Sequence, residues 1–126
     1  MQNVGDWMIK DVLTVKEDEP LIEAARRIVE KNVAALPVLN SKGEYAGIVF
    51  ERSILKHAVI DKKGLEGLKV SDVLIRDYLT LEPTTNIFEA LRVMDKEGVQ
   101  RIPVVENSKL VGFVSIKDIL RKLISL

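Results

Sequence analysis

The chain has 126 residues, a formal net charge of zero and 47% apolar residues, with only 5% aromatics. It holds no cysteine, which excludes disulfide scaffolds, thiolate zinc sites and thiol catalysis. Its one histidine, His57, excludes multi-histidine metal sites and His-paired triads within one chain.

No apolar run approaches the ~20 residues of a membrane span. The N-terminal MQNVGDWMIKD lacks the apolar region of a signal peptide, so the expectation is a cytoplasmic protein with no membrane contact. The chain carries 19 basic and 19 acidic residues, without the basic bias of a duplex-binding protein.

The sequence repeats itself. At a spacing of 66, twelve residues recur, among them Val4, Asp6, Ile9, Asp11, Leu13, Thr14, Glu23, Ala24, Arg26, Val33, Pro37 and Val38. After the loop from Asn40 to Glu44 the spacing becomes 65, and Gly47, Val49, Ile54 and Leu55 meet Gly112, Val114, Ile119 and Leu120. The one-residue gap falls in a Gly-containing turn, as a duplication with a loop deletion predicts. Charge is balanced in each half separately. The stretch Ile60 to Lys69, with two glycines, separates the copies. The division is residues 1–60 for the first repeat, 61–69 for a linker and 70–126 for the second.

In chain order, each repeat opens with a short turn or extended segment in which Asp6 or Asp72 suits a cap. Brief strands over Val12 to Val15 and Tyr78 to Leu81 follow. A helix comes next, with Leu21, Ala24, Ala25, Ile28 and Val29 on one face, and Ile87, Ala90, Leu91 and Met94 on its counterpart. Pro20 suits the first helical position and Thr85 an N-cap. Asn32 and Gly98 suit the left-handed residue that ends a helix.

Strands over Val33 to Leu39 and Val99 to Val105 each contain a proline, Pro37 or Pro103, which predicts an edge strand or a bulge. A turn leads to strands Tyr45 to Phe50 and Leu110 to Ser115. There Gly47 and Gly112 mark close approach by a ligand or another backbone. Last helices begin near 51 and 116, with apolar faces from Ile54, Leu55, Ala58 and Val59, and from Ile116, Ile119, Leu120 and Leu123. Trp7 is expected in the core and His57 at the surface.

The pattern is β-α-β-β-α, an α/β (α+β) fold. About 50 residues cannot bury a sufficient core alone. Two copies packed sheet to sheet about a pseudo-twofold axis, as one cooperative domain, are therefore expected.

The block V-x-D-x-h-I-(K/R)-D-x-L-T, then E-A-x-R, V-x-x-(L/I)-P-V and G-h-V, present twice in this order, resembles the CBS domain. The resemblance spans about Val4 to Ile60 and Val70 to Leu126. It implies a tandem pair that binds an adenine nucleotide (AMP, ADP or ATP) or S-adenosylmethionine as a regulatory ligand. It also implies a homodimer, a separate effector protein and no catalysis.

The family signature G-h-x-(T/S)-x-x-(D/N) resembles Gly112-Phe113-Val114-Ser115-Ile116-Lys117-Asp118. By that resemblance Asp118 accepts from the ribose hydroxyls and Ser115 bonds the phosphate or ribose side. Arg101 supplies positive charge to phosphate, Ile102 and Pro103 line the adenine pocket, and Thr80 contacts the base. Ser-x-x-Asp at a helix start also fits a capping box, Arg101 equally fits a solvated strand charge, and Thr80 equally fits a plain strand threonine. The first repeat departs from the signature, with Phe50 for the hydroxyl, Ser53 for the carboxylate and Ala35 for the arginine. Its cleft is expected to bind adenosine poorly, or something else, or nothing. Two rival readings are a ligand-free dimerisation or interaction scaffold and a nucleic-acid binder using Arg26, Arg27, Lys62 and Lys63; the balanced charge counts against the second.

Overall fold

The computed structural model describes residues 2–125. In chain order the elements are α1 (Val4–Trp7), β1 (Val15–Lys16), α2 (Leu21–Lys31), β2 (Ala35–Leu39), β3 (Tyr45–Phe50) and α3 (Glu51–Leu55). Helix α3 runs on into a π-helical turn, Lys56–Ile60, and a 3₁₀ turn follows at Val70–Asp72. Then come α4 (Ile87–Glu97), β4 (Arg101–Glu106), β5 (Lys109–Ser115) and α5 (Ile116–Ile124).

The chain forms two compact units that do not coincide with the sequence repeats. One joins Met1–Val12 to Leu79–Leu126; the other is Leu13–Tyr78. The cause lies in backbone pairing. The second repeat's opening segment binds the first repeat: Val70 N–H donates to Glu19 O (3.0 Å), Ser71 N–H to Glu17 O (2.9 Å), and Leu21 N–H to Leu68 O (2.8 Å). The first repeat's opening segment makes the equivalent contacts to the second: Val4 to Thr85 (2.8 Å), Gly5 to Pro83 (2.9 Å), and Ile87 to Gln2 (2.7 Å). Each unit therefore contains the opening segment of the other repeat.

The buried apolar residues follow this exchange. Val70 and Val73 join Val15, Leu21, Ile28, Leu36, Val38, Val49 and Ile54 in one core cluster. Val4 joins Leu81, Ile87, Met94, Ile102, Val104, Val114 and Ile119 in the other, with Trp7 packed against it. Burial of such aliphatic side chains contributes ~1.5–3 kcal/mol each.

In the Leu13–Tyr78 unit the strand order is β1-β2-β3, with β1 parallel and β3 antiparallel to β2. In the other unit β4 and β5 are antiparallel, and Leu81 makes a parallel bridge to Val104 that repeats the role of β1. The proline-bearing strand β2 is thus central, not at an edge. Pro37 is tolerated because it faces Ile48, whose own N–H and C=O are engaged by Ile75. No ladder bond from position 37 to β3 is called for. Pro103 faces Phe113 in the same way, with Phe113 bonded to Ile9. Register shifts fall one residue later, at Val38/Leu39 and Val104/Val105.

Helix ends follow the sequence closely. Asn32 and Gly98 both adopt the left-handed conformation, with φ of 53° and 66°. The N-cap of α4 is Asn86, not Thr85: its side chain accepts from Phe88 N–H at 2.8 Å. Pro20 is one residue earlier than expected, at the N-cap of α2. Asp6 and Asp72 do cap their turns, accepting from Asn3 and Lys69 N–H. The expected apolar faces of the last helices are narrower than the sequence suggests. Only Ile54 and Ile119 are buried there, while Leu55, Val59, Ile116, Leu120 and Leu123 are exposed. Val29 on α2 is exposed as well.

Candidate functional site

The expected site residues all belong to the unit that contains β4, β5 and α5. Arg101 opens β4 and pairs in register with Ser115, the last residue of β5 and the N-cap of α5. The Ile116 N–H donates to Gln100 O (3.0 Å), which fixes the helix start against the strand start. Thr80, exposed, precedes the bridge in which Leu81 N–H donates to Pro103 O at 3.0 Å. Parallel alignment at that bridge sets Thr80 beside Pro103.

Ser115 and Asp118 are brought together. The Ser115 hydroxyl donates to Asp118 Oδ2 at 2.6 Å, and Asp118 N–H donates to Ser115 Oγ at 3.1 Å. This is a helix cap made by the serine, with the carboxylate at the third helical position. Arg121 Nη1 donates to Asp118 Oδ1 at 2.8 Å. The Asp118 side chain is 18% exposed and that of Arg121 68%. A carboxylate oxygen accepts more than one hydrogen bond, so Asp118 keeps acceptor capacity at both oxygens.

Two expected residues have other surroundings. Ile102 is fully buried and belongs to the core cluster with Val104 and Val114. Gly112 is approached by the chain's own backbone: a Cβ there would overlap the Met8 side chain and lie 2.9 Å from Ile9 O. Its lack of a side chain serves the crossing of residues 8–9 over β5. Gly47 admits Leu74 and Ile75 in the same manner. Pro103 is buried and Arg101 half-buried.

The Leu13–Tyr78 unit has the same backbone frame with different side chains. Glu51 N–H donates to Ala34 O (2.9 Å), as Ile116 does to Gln100. Phe50 stands in the place of Ser115 and caps nothing with its side chain. Its ring lies edge-on to Tyr78, with centroids 5.1 Å apart. Burial pushes the nearby Tyr45 hydroxyl up to about 12.

Three features escaped the sequence reading. The Arg121–Asp118 pair has a signal, the i,i+3 spacing on α5. The Phe50–Tyr78 ring pair has none, since 28 positions separate the two. The third is a fork: Arg27 donates to Glu19 through Nη2 (2.6 Å) and Nη1 (3.0 Å), and Nη1 also donates to Thr14 O (3.0 Å). Glu19 accepts Lys16 N–H at 2.7 Å as well. The Arg27 guanidinium holds the Glu19 carboxyl below its usual range. The second repeat has Val93 where the first has Arg27, so the fork ties down Thr14 but has no counterpart at Thr80.

Among the described residues, no group of three or more His, Cys, Asp or Glu is placed to hold a metal ion. No described helix is long and apolar enough to cross a membrane.

Two α/β units built from a repeated β-α-β-β-α pattern define a tandem domain pair. The CBS domain family model matches residues 4–67 and 70–125, and the chain belongs to that family. It is 30% identical over 120 residues to uncharacterized protein MK0525 of Methanopyrus kandleri, covering 94% of this chain and 61% of that one. It is 31% identical over 123 residues to the inosine-5′-monophosphate dehydrogenase of Methanocaldococcus jannaschii, covering 97% of this chain but 24% of the enzyme. The chain thus spans only part of the length of these curated relatives. Among solved structures, CBSX2 in complex with AMP superposes with a TM-score of 0.86 at 26% identity, covering 99% of this chain and 98% of that one.

Proposed function

We propose that the protein is a non-catalytic sensor that binds an adenosine-containing ligand through the second repeat and signals to a separate effector. The ligand class comprises AMP, ADP, ATP and S-adenosylmethionine. The observation that carries this reading is the Ser115–Asp118 pair at the start of α5 with Arg101 opposite it on β4. A carboxylate with two acceptor oxygens suits a vicinal diol. A helix N-terminus and an arginine suit a phosphate. The solved complex of CBSX2 with AMP supports the ligand class. Thr80 and Pro103, side by side, frame the adenine side, while Gly112 and Ile102 shape the strand and the core.

The ligand acts by binding one conformation of the module better than another, and the effector reads that shift. A homodimer accompanies this reading. The exposed apolar residues Ile116, Leu120 and Leu123 on α5, and Leu55 and Val59 after β3, favour it. The same residues also support the second reading, a scaffold that dimerises without a ligand.

Thermal melting with each of the four ligands tests the proposal. At ~100 times the dissociation constant a ligand stabilises by about 2.7 kcal/mol, several degrees for a chain of this size. Asp118→Ala removes the shift and keeps the fold. No shift with any of the four, together with a stable dimer in light scattering, would favour the scaffold.

A further inference from the structure

We infer that Arg121 is a positioning residue that orients the Asp118 carboxylate for a ribose diol. The inference rests on the ribose role proposed for Asp118 and adds the residue that makes it selective. The Ser115 hydroxyl holds one carboxylate oxygen at 2.6 Å and the Arg121 guanidinium holds the other at 2.8 Å. The terminal torsion of an aspartate is broad and roughly two-fold, so one hydrogen bond leaves the carboxylate plane loosely set. Two donors, one on each oxygen, define it. Both oxygens then present their remaining acceptor sites in one plane, as two adjacent hydroxyls require.

Arg121 is 68% exposed, so its pairing is screened by solvent and adds little to stability. Its consequence is orientation of a carboxylate that is itself only 18% exposed. The trio occurs once in the chain. At the equivalent positions of the first repeat stand Phe50, Ser53 and Lys56, which offer no carboxylate to orient. The spacing 115, 118, 121 matters as well: Ser115 caps α5, Asp118 lies in its first turn and Arg121 three residues on, so each is a neighbour of the next.

The test is calorimetric titration of the wild-type chain, R121A and R121K with AMP and with 2′-deoxy-AMP, with the urea midpoint of each variant. R121A is expected to bind AMP about fivefold more weakly, the effect of one charge-assisted contact acting through Asp118. Its affinity for the 2′-deoxy nucleotide stays near wild type, so discrimination between the two sugars falls. R121K restores part of that discrimination, and the urea midpoints stay together. Equal losses for both nucleotides, or no loss for either, overturn the inference while leaving the adenosine reading standing. Wild-type protein that binds neither AMP nor 2′-deoxy-AMP overturns the inference, and one that also fails to bind ADP, ATP and S-adenosylmethionine overturns the adenosine reading with it.

Discussion

Ile9 and Phe113 exchange both of their backbone hydrogen bonds, each 2.9 Å, although they open and close the chain. Ile75 and Ile48 do the same at 2.8 and 3.0 Å. The glycine one position before each strand partner makes room for the crossing segment. Substitution of the two glycines should therefore destabilise unequally. At Gly112 a Cβ meets the flexible Met8 side chain most closely and the Ile9 carbonyl oxygen only at 2.9 Å, and Gly112→Ala is expected to cost about 1–2 kcal/mol. At Gly47 it meets the Ile75 backbone carbonyl, and φ is +149°, so Gly47→Ala is expected to cost about 2–4 kcal/mol. Urea unfolding of both variants checks the order; a Gly112 variant as damaged as the Gly47 one contradicts it.

The exchange of opening segments makes a second prediction about fragments. Residues 13–78 contain the complete core cluster around Leu36 and Val49, including Val70 and Val73. Residues 1–60 lack those two valines and the 17–21 backbone partners. Hydrogen exchange on the two fragments should find slower amides in 13–78. Equal protection would show that the exchanged segment contributes nothing to the unit it joins.

Glu19 and Arg27 form the best-connected ion pair described, with side chains 24% and 32% exposed. Glu19→Gln should cost about 1–2 kcal/mol, since it leaves the guanidinium half-buried without its carboxylate. The Glu19 carboxyl is lowered from 4.5 by the Arg27 hydrogen bonds. Its contribution is therefore complete above pH 4.5 and lost as pH falls through the lowered folded value. Acid unfolding curves of wild type and Glu19→Gln should converge at the acid end. A constant offset down to that end would rule out this pair as the source.

Most of the element order was legible in the sequence because each repeat carries its own evidence twice. Asn32 and Gly98 ended their helices as aligned positions able to adopt φ > 0 must. Strand β3 occupies the very residues expected. The prolines announce an irregularity that is present one residue on, at Val38/Leu39 and Val104/Val105, but not the central place of β2, where the partner Ile48 is already bonded to Ile75 on its other side. Val29, Leu120 and Leu123 misled because periodicity marks an apolar face without saying what covers it.

The exchange of segments was invisible for a related reason. Val4 and Val70 are alike, so no local feature says which repeat each will join. At the site, Ser115 and Asp118 were readable from their spacing, and their hydrogen bond is present. Gly112 was ambiguous between a ligand and a backbone neighbour, and the answer depended on Met8 and Ile9, remote in sequence.

In the proposed function the adenosine chemistry resides in one repeat only. The most direct measurement is the stoichiometry of AMP binding by calorimetry on wild type, Asp118→Ala and Ser53→Ala. One AMP per chain is expected in wild type and in Ser53→Ala, and none in Asp118→Ala. Two per chain, or full binding by Asp118→Ala, would contradict it.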